Sequence, residues 1–375
     1  MRIVLLREIP DDPTLLRQWN DLVVQMERPE VFYTGEWAGA VQLAGLASPT
    51  PLLFLGYDGD DLVGVACLSA DLNERNLSFL AGTTADYCEF VSHPQRRAEF
   101  VEAVFADLRQ LGVGDLALAS LPADSATTPA LRAAAKKHGF HLYVRPEFSC
   151  PQVELGSGVQ RRELKAAVMG KRQLRRRMKA MEVEGSVTSV CLRSCAEIQA
   201  ALPGFFEAHV ARYQATRRVS PLSAPERRIF LEELARRFAG TGTVTMSMLM
   251  IGDRPVAWNY GFQFHGSWFW YQPTFDSRQE ENSPGHCLLS RIVVEACDMG
   301  GMNVVDLGLG AEGYKERFGN STRQTLYATL TSSWFRHLRE MVRYSTASVV
   351  KRSPGIESLV RSARSRLGIL RGQRP

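Results

Sequence analysis

Apolar and polar positions change period several times along this chain of 375 residues, and the changes mark its elements. Val244 to Ile251 and Pro255 to Phe264 are β-rich runs joined by Gly252-Asp253-Arg254, and His265-Gly266-Ser267 leads into the aromatic run Trp268 to Phe275. That order predicts an antiparallel meander. After Ser283-Pro284-Gly285 the period becomes helical, with Leu288, Leu289, Ile292, Val293, Ala296 and Cys297 on one face and Arg291, Glu295 and Asp298 on the other. Gly300-Gly301 stops that helix. A short buried strand over Asn303 to Leu307, a short helix over Ala311 to Phe318 and a strand over Thr325 to Leu330 follow.

The first half repeats the order with other residues. Strand-like runs at Leu52 to Tyr57, Leu62 to Ser69 and Leu77 to Ala81 precede a helix over about Arg97 to Leu111. A strand Asp115 to Ser120, a helix Pro129 to His138 and a strand Phe140 to Val144 come next. Each unit also opens with helices, at Pro13 to Met26 and Trp37 to Leu46, then at Ala196 to Arg212 and Pro225 to Phe238. The expectation is two related α/β units with mixed central sheets flanked by helices. Their bounds are 1–157 and 186–340, joined by one basic helix within 158–185 that Gly185 ends, with a basic tail over 341–375.

Length and composition fit two ordinary globular domains. No run of about 18 apolar residues is present and Met1 to Pro10 carries Arg2, Arg7 and Glu8, so a cytoplasmic protein is expected. Cysteines 67, 88, 150, 191, 195, 287 and 297 are scattered, odd in number and without a CxxC pair, which points to neither a disulfide framework nor a metal site. Charge is uneven. The segment Arg343 to Pro375 carries eight Lys/Arg against Glu357 alone, and Arg161 to Lys179 carries nine against Glu163 alone. These are the two places where bulk charge would meet phosphates or anionic lipid. The tail reads as either an amphipathic helix or a disordered solubilising segment, with transient membrane contact as one outcome.

Candidate chemistry gathers in the second unit. Ser283-Pro284-Gly285 places a serine, a first-turn proline and a glycine at a helix start, where unpaired amides and the helix dipole hold phosphate; His286 and Cys287 sit in the same cradle. Ligands of open α/β sheets favour the carboxyl ends of diverging strands, and Asp306 lies at such an end. The following residues supply an acid, a phenol and an amine in Glu312, Tyr314 and Lys315, a set suited to proton transfer during acyl transfer. Each also has a structural reading: Asp306 as a turn cap, Tyr314 as core, Lys315 as a solvated helix residue. His209 and Arg212 share a helix face that could touch substrate, and Tyr271 could reach the acyl group or acceptor.

Taken together, Ser283-Pro284-Gly285 with Leu288-Leu289, and Asp306 with Gly310, Glu312, Tyr314 and Lys315, resemble the CelD type of GNAT-fold acyltransferases, associated with cellulose and exopolysaccharide loci and related to the FemABX transferases. Phe32 to Trp37, Asp86-Tyr87 and Phe205 to Arg212 add to the likeness, which covers nearly all of Met1 to Arg336. It implies tandem GNAT domains, with acyl-CoA wedged between splayed strands and its pyrophosphate near Gly285. The acceptor would be an amine, less readily a hydroxyl, on a small molecule, a sugar or a lipid-linked precursor. Asp306 or Glu312 would be the base, Tyr314 the acid, and Lys315 a support for phosphate or oxyanion. Trp37, Asp86 and Tyr87 would belong to substrate binding in the first unit, where Ser92-His93-Pro94-Gln95 stands without glycine. The usual GNAT loop, Gln/Arg-x-x-Gly-x-Gly/Ala, is absent. Two other functions remain open: an aminoacyl-tRNA-dependent transferase acting on a cell-wall precursor, the one reading that involves nucleic acid, and a silent scaffold in a polysaccharide-synthesis complex.

Overall fold

Turn chemistry and alternation do at residues 244–275 what the sequence requires. In the computed structural model, which describes residues 1–47 and 50–352, Gly252 takes φ +56° and reverses the chain between two runs paired from Ile251↔Arg254 to Val244↔Phe262. His265 and Gly266, at φ +40° and +83°, make the next reversal.

In chain order the first half comprises β1 (Arg2–Leu6), α1 (Pro13–Gln25), α2 (Gly35–Leu43), β2 (Thr50–Asp58), β3 (Asp61–Ala70), β4 (Asn76–Phe79), β5 (Val91–Ser92), α3 (Arg97–Gln110), β6 (Asp115–Pro122), α4 (Thr127–Lys137) and β7 (His141–Glu154). Two helices follow, α5 (Gly158–Gly170) and α6 (Arg172–Met181). The second half holds β8 (Val187–Leu192), α7 (Cys195–Ala215), α8 (Pro225–Arg237), β9 (Val244–Ile251), β10 (Arg254–Phe264), β11 (Ser267–Phe275), α9 (Pro284–Asp298), β12 (Val304–Asp306), α10 (Gly313–Phe318), β13 (Ser321–Thr331) and α11 (Trp334–Arg352). Two helices, a meander, a helix, a parallel return strand, a helix and a last strand thus occur twice, in the expected order.

The halves share one sheet. Its order is β1-β2-β3-β4-β6-β13-β7-β12-β11-β10-β9-β8, with β5 on β3. Strand β13 inserts between β6 and β7, pairing Leu326 to Thr331 with Leu121 to Asp115 on one side and Ser321 to Gln324 with Gln152 to Ser149 on the other. The far end of β7 passes on to β12, with Val153 opposite Val305. The boundary expected at 157 therefore does not separate two sheets. Strand β7 is 14 residues long and serves both halves.

The basic segment also departs from expectation. It is two helices, broken at Lys171 (φ −60°, ψ 105°) after Gly170, rather than one. Leu164, Val168, Leu174, Met178 and Met181 pack with Leu288, Leu289 and Ile292 of α9 in a second core, so the segment belongs to the second half. Arg162, Arg172, Arg175 and Arg176 face outward, whereas Arg161 is half-buried and donates to the Met299 and Met302 carbonyls, and Arg177 is half-buried beside α9. Residues 353–375, most of the expected tail, lie outside the described residues; 334–352 forms α11. Among the described residues no helix is long and apolar enough to cross a membrane, and no group of His, Cys, Asp and Glu is placed to hold a metal.

Candidate active site

Strands β11 and β12 run parallel for three residue pairs, Ser267↔Val304 to Phe269↔Asp306. Then they part: β12 ends at Asp306 while β11 continues to Phe275. Gly308 and Gly310, at φ +72° and +94°, carry the chain away from the sheet. At Gly308 a Cβ would stand 2.7 Å from a carboxylate oxygen of Asp86, so only glycine leaves room for that side chain.

The divergence opens a cleft in two connected parts. One, about 610 Å³ including space open to solvent, lies under the start of α9 and is lined by Phe275, Glu280, Ser283, Gly285 and His286. The other, about 1190 Å³ on the same measure, is lined by Asp86, His209, Tyr271, Leu309, Glu312 and Lys315. Arg212, Trp270, Pro273 and Tyr314 line both.

The helix start is a sparser cradle than its sequence suggests. Ser283 occupies the cap position at φ +45°, but its hydroxyl turns back to the Glu280 carbonyl at 3.4 Å instead of capping the helix. Pro284 has no N–H, and the His286 and Cys287 amides close on the Ser283 carbonyl. That leaves the Gly285 amide without an acceptor among the described residues, one donor rather than several. A Cβ at Gly285 would meet only Phe275, at an ordinary 3.5 Å, so packing within the chain does not demand glycine there. Pro284 and Cys287 are buried; burial pushes the Cys287 thiol up to about 11, which removes it as a nucleophile.

Cations ring this part of the cleft. The Arg177 guanidinium, reaching over from α6, lies 3.4 Å from His286 Nδ1. Burial, and then the charges of Arg177, Arg317 and Arg212, press His286 down to about 4, so it is neutral at pH 7. Arg212 stacks over Phe275 at 4.4 Å and donates to the Pro273 carbonyl at 3.2 Å; Glu280 on the same wall acts on it through space, but no carboxylate comes within ion-pair distance among the described residues. A half-buried guanidinium held by neutral groups is a ready counter-charge for an anionic ligand. His209 behind it is held by Ser220 at 2.8 Å and stacked on Tyr213; burial lowers it to about 4.

Asp306 is not placed as a base. It is buried behind the cleft floor: Tyr87 donates to its Oδ2 at 2.8 Å, Gln152 to the same oxygen at 2.6 Å, and the Gly308 amide to Oδ1 at 2.8 Å. Tyr87 is likewise buried, with the Arg323 guanidinium 4.2 Å above its ring, and lines neither part of the cleft. Together these residues latch β12 to the first half. Of the two aspartates the one that lines the cleft is Asp86, and burial, then repulsion from Asp306, raise it to about 7, with Lys315 and the Leu309 amide pulling the other way.

The remaining expected residues divide the same way. Lys315 is buried rather than solvated, donating to the Leu309 carbonyl at 2.7 Å and pairing with Glu312 at 2.9 Å. Glu312 lines the cleft but is engaged by that lysine. The Tyr314 hydroxyl accepts from Trp270 Nε1 at 3.3 Å, and burial raises its pKa, keeping it protonated. Tyr271 lines the cleft with its hydroxyl donated to the Thr84 carbonyl at 2.5 Å. Trp37 is fully buried among Phe230, Phe262 and Tyr271, with ring centroids 5.2–5.6 Å away, and is core. Sequence reading missed Trp270, Gln152, Arg177 and Arg317. Gln152 had one signal available, a polar side chain set between Cys150-Pro151 and Val153.

Residues 170–316 match the family model described as the acetyltransferase (GNAT) domain. The fold is of the GNAT type, built twice. Among curated proteins no sequence matches the chain. Among solved structures, FemX is similar with a TM-score of 0.57 at 11% identity, over 88% of this chain and 97% of FemX. L-PGS from Bacillus licheniformis is similar with a TM-score of 0.55 at 11% identity, over 88% and 94%. A protein of unknown function from Bacteroides thetaiotaomicron gives 0.53 at 12%, over 84% and 97%. In the first GNAT-type copy the matching helix start is occupied: Arg97, at the beginning of α3, is buried and held by Glu27 through bonds of 2.7 and 2.6 Å.

Proposed function

We propose that the protein is an acyl-CoA-dependent transferase of the CelD type that acts in the cytoplasm, acylating an amine, less readily a hydroxyl, of a sugar or cell-surface polysaccharide precursor. The observation that carries this reading is the open divergence of β11 and β12, roofed by the α9 start and carrying a guanidinium, Arg212, with no carboxylate partner. The edge of β11 beyond Phe269, which β12 leaves unpaired, suits an extended amide-bearing arm, and Arg212, Arg177 and the Gly285 amide suit phosphates at its end. Bound there, an acyl thioester supplies the acyl carbon and a thiolate leaving group.

The chain's own groups handle the protons. Asp86, poised near neutrality, takes a proton from the attacking amine as nitrogen bonds to the acyl carbon. Tyr314, kept protonated by burial, gives one to the sulfur as the carbon–sulfur bond breaks. Arg212 holds anionic charge, and Lys315, fixed by Glu312 and the Leu309 carbonyl, holds the loop that carries the floor of the site. Calorimetric titration with acetyl-CoA and longer acyl-CoAs, followed by mass spectrometry of amine and sugar acceptors, tests this; absence of binding by every thioester refutes it.

A second reading rests on α6. Arg172, Arg175 and Arg176 on that helix face solvent beside the cleft, a surface that suits tRNA phosphates and hence an aminoacyl-tRNA donor delivering to a cell-wall precursor. Transfer from aminoacyl-tRNA that ribonuclease abolishes, with no acyl-CoA binding, would favour it. Binding of neither donor, with tight association with a polysaccharide-synthesis enzyme, would favour a scaffold.

A further inference from the structure

We infer that α11 is an interfacial helix that seats the protein on an anionic bilayer surface. One side of the helix is spoken for by the sheet. His337 lies 5.4 Å from His141, and Tyr344 stacks on Tyr143 at 6.0 Å beneath the Arg145 guanidinium. The side turned away should then be polar, and it is not. Phe335 is 82% exposed, Val342 55% and Leu338 44%, with Met341 beside them; Trp334, 54% exposed, stands at the margin with its ring edge-on to His141 at 5.3 Å. At 100° per residue these five positions fall on one stripe along the helix.

Charge decides which partner fits. Arg336, Arg339 and Arg343 lie beyond the same edge of the stripe; Arg336 is paired with Asp115 of β6, and the one carboxylate among the described side chains of α11, Glu340, is turned toward Arg343 at 3.9 Å and is only 22% exposed, so the excess on this side is positive. From Lys351 onward the sequence adds seven more cations against Glu357 alone. Apolar side chains on a convex helix, edged with arginines of one sign and carrying tryptophan at its start, match the acyl and phosphate layers of an anionic leaflet. The rings and Leu338 enter the acyl boundary while the guanidinium groups reach the phosphates. A second copy of the chain fits less well, since pairing the stripe with itself would bring the two sets of three arginines together.

The test is co-sedimentation of the full chain with vesicles of phosphatidylcholine alone or with 30% phosphatidylglycerol, a composition chosen on the order used for anionic leaflets. Binding is expected with the anionic vesicles and should weaken at high salt. Phe335→Ser with Leu338→Ser should lower partitioning at least tenfold without moving the denaturation midpoint, because both side chains already face water. Arg339→Glu should lower it as well, and a chain shortened to end at Arg352 should retain part of it. Wild-type binding by the serine double variant, no binding by the wild type, or a dimer that the double variant dissolves without any vesicle binding would each overturn the inference.

Discussion

Replacing Asp306 by Asn separates a latch from a base. The wild-type carboxylate accepts three hydrogen bonds, two on Oδ2 from Tyr87 and Gln152 and one on Oδ1 from the Gly308 amide. Asparagine offers one carbonyl and one amino group. If its oxygen faces Tyr87 and Gln152, its amino group confronts the Gly308 N–H; in the opposite rotamer it confronts the Gln152 amide. Either way a buried donor loses its acceptor, at about 1–3 kcal/mol, and the surviving bonds lose their charge assistance. The expected cost is about 2–4 kcal/mol, and Tyr87→Phe, which removes one bond to the carboxylate, should cost about 1.5–3 kcal/mol. Denaturant unfolding followed by tryptophan fluorescence reads both, and the two losses should add to more than the double variant shows, because they share a partner. Thiol release during transfer to an accepted amine then gives turnover per folded molecule, expected within a few-fold of wild type. A D306N protein that unfolds like wild type but loses ~10²-fold or more in kcat would refute the latch and restore Asp306 as the base.

Other outcomes follow from the same geometry. Asp86→Asn should lower kcat by ~10²–10⁴-fold with little change in KM, and the wild-type rate should rise with pH through about 7 as the carboxylate forms, an inflexion the variant lacks. Arg212→Ala should raise the KM for the acyl donor by roughly tenfold or more while leaving kcat within a few-fold, since it deletes a counter-charge and not a proton carrier. Burial raises Glu30 and Glu89 to about 7, so between about 4.5 and 7 the folded chain holds protons that the unfolded chain has released. Stability should therefore fall as pH rises through that window, by an amount on the order of 3 kcal/mol per carboxyl, and Glu89→Gln should flatten the dependence. Denaturation midpoints at pH 5 and pH 8 check the sign.

Local pattern made much of this molecule legible. The run from Val244 to Ile251 is a strand with the expected ends because turn residues flank it, and the helix after Ser283 starts where the serine-proline-glycine triplet places it. The sequence predicts a strand over Phe140 to Val144 only, whereas β7 runs on through Arg145, Pro146 and Pro151, which face Tyr327, Leu326 and Thr322 of the distant β13. Partner choice between distant strands leaves no local mark, so neither the insertion of β13 nor the shared sheet could be read. The break at Lys171 was hidden in a run of good helix formers interrupted only by Gly170. At the site, residue types were found but roles were not. Asp86 and Asp306 are both acids beside apolar residues in the sequence, and only the fold turns one toward the cleft and surrounds the other with donors.

Because the first half of the sheet takes its strand between β6 and β7 from Ser321–Thr331, it cannot be finished when its own residues have been made. A ribosome that has passed Glu154 must add the whole second half before β13 exists, a delay on the order of ten to thirty seconds at common elongation rates. During that interval β6 and the near part of β7 present unpaired edges, the kind of surface that recruits foreign strands. Production of the chain should accordingly depend on chaperone capacity more than its finished stability suggests, and the two GNAT-type copies, though written one after the other, become folded together.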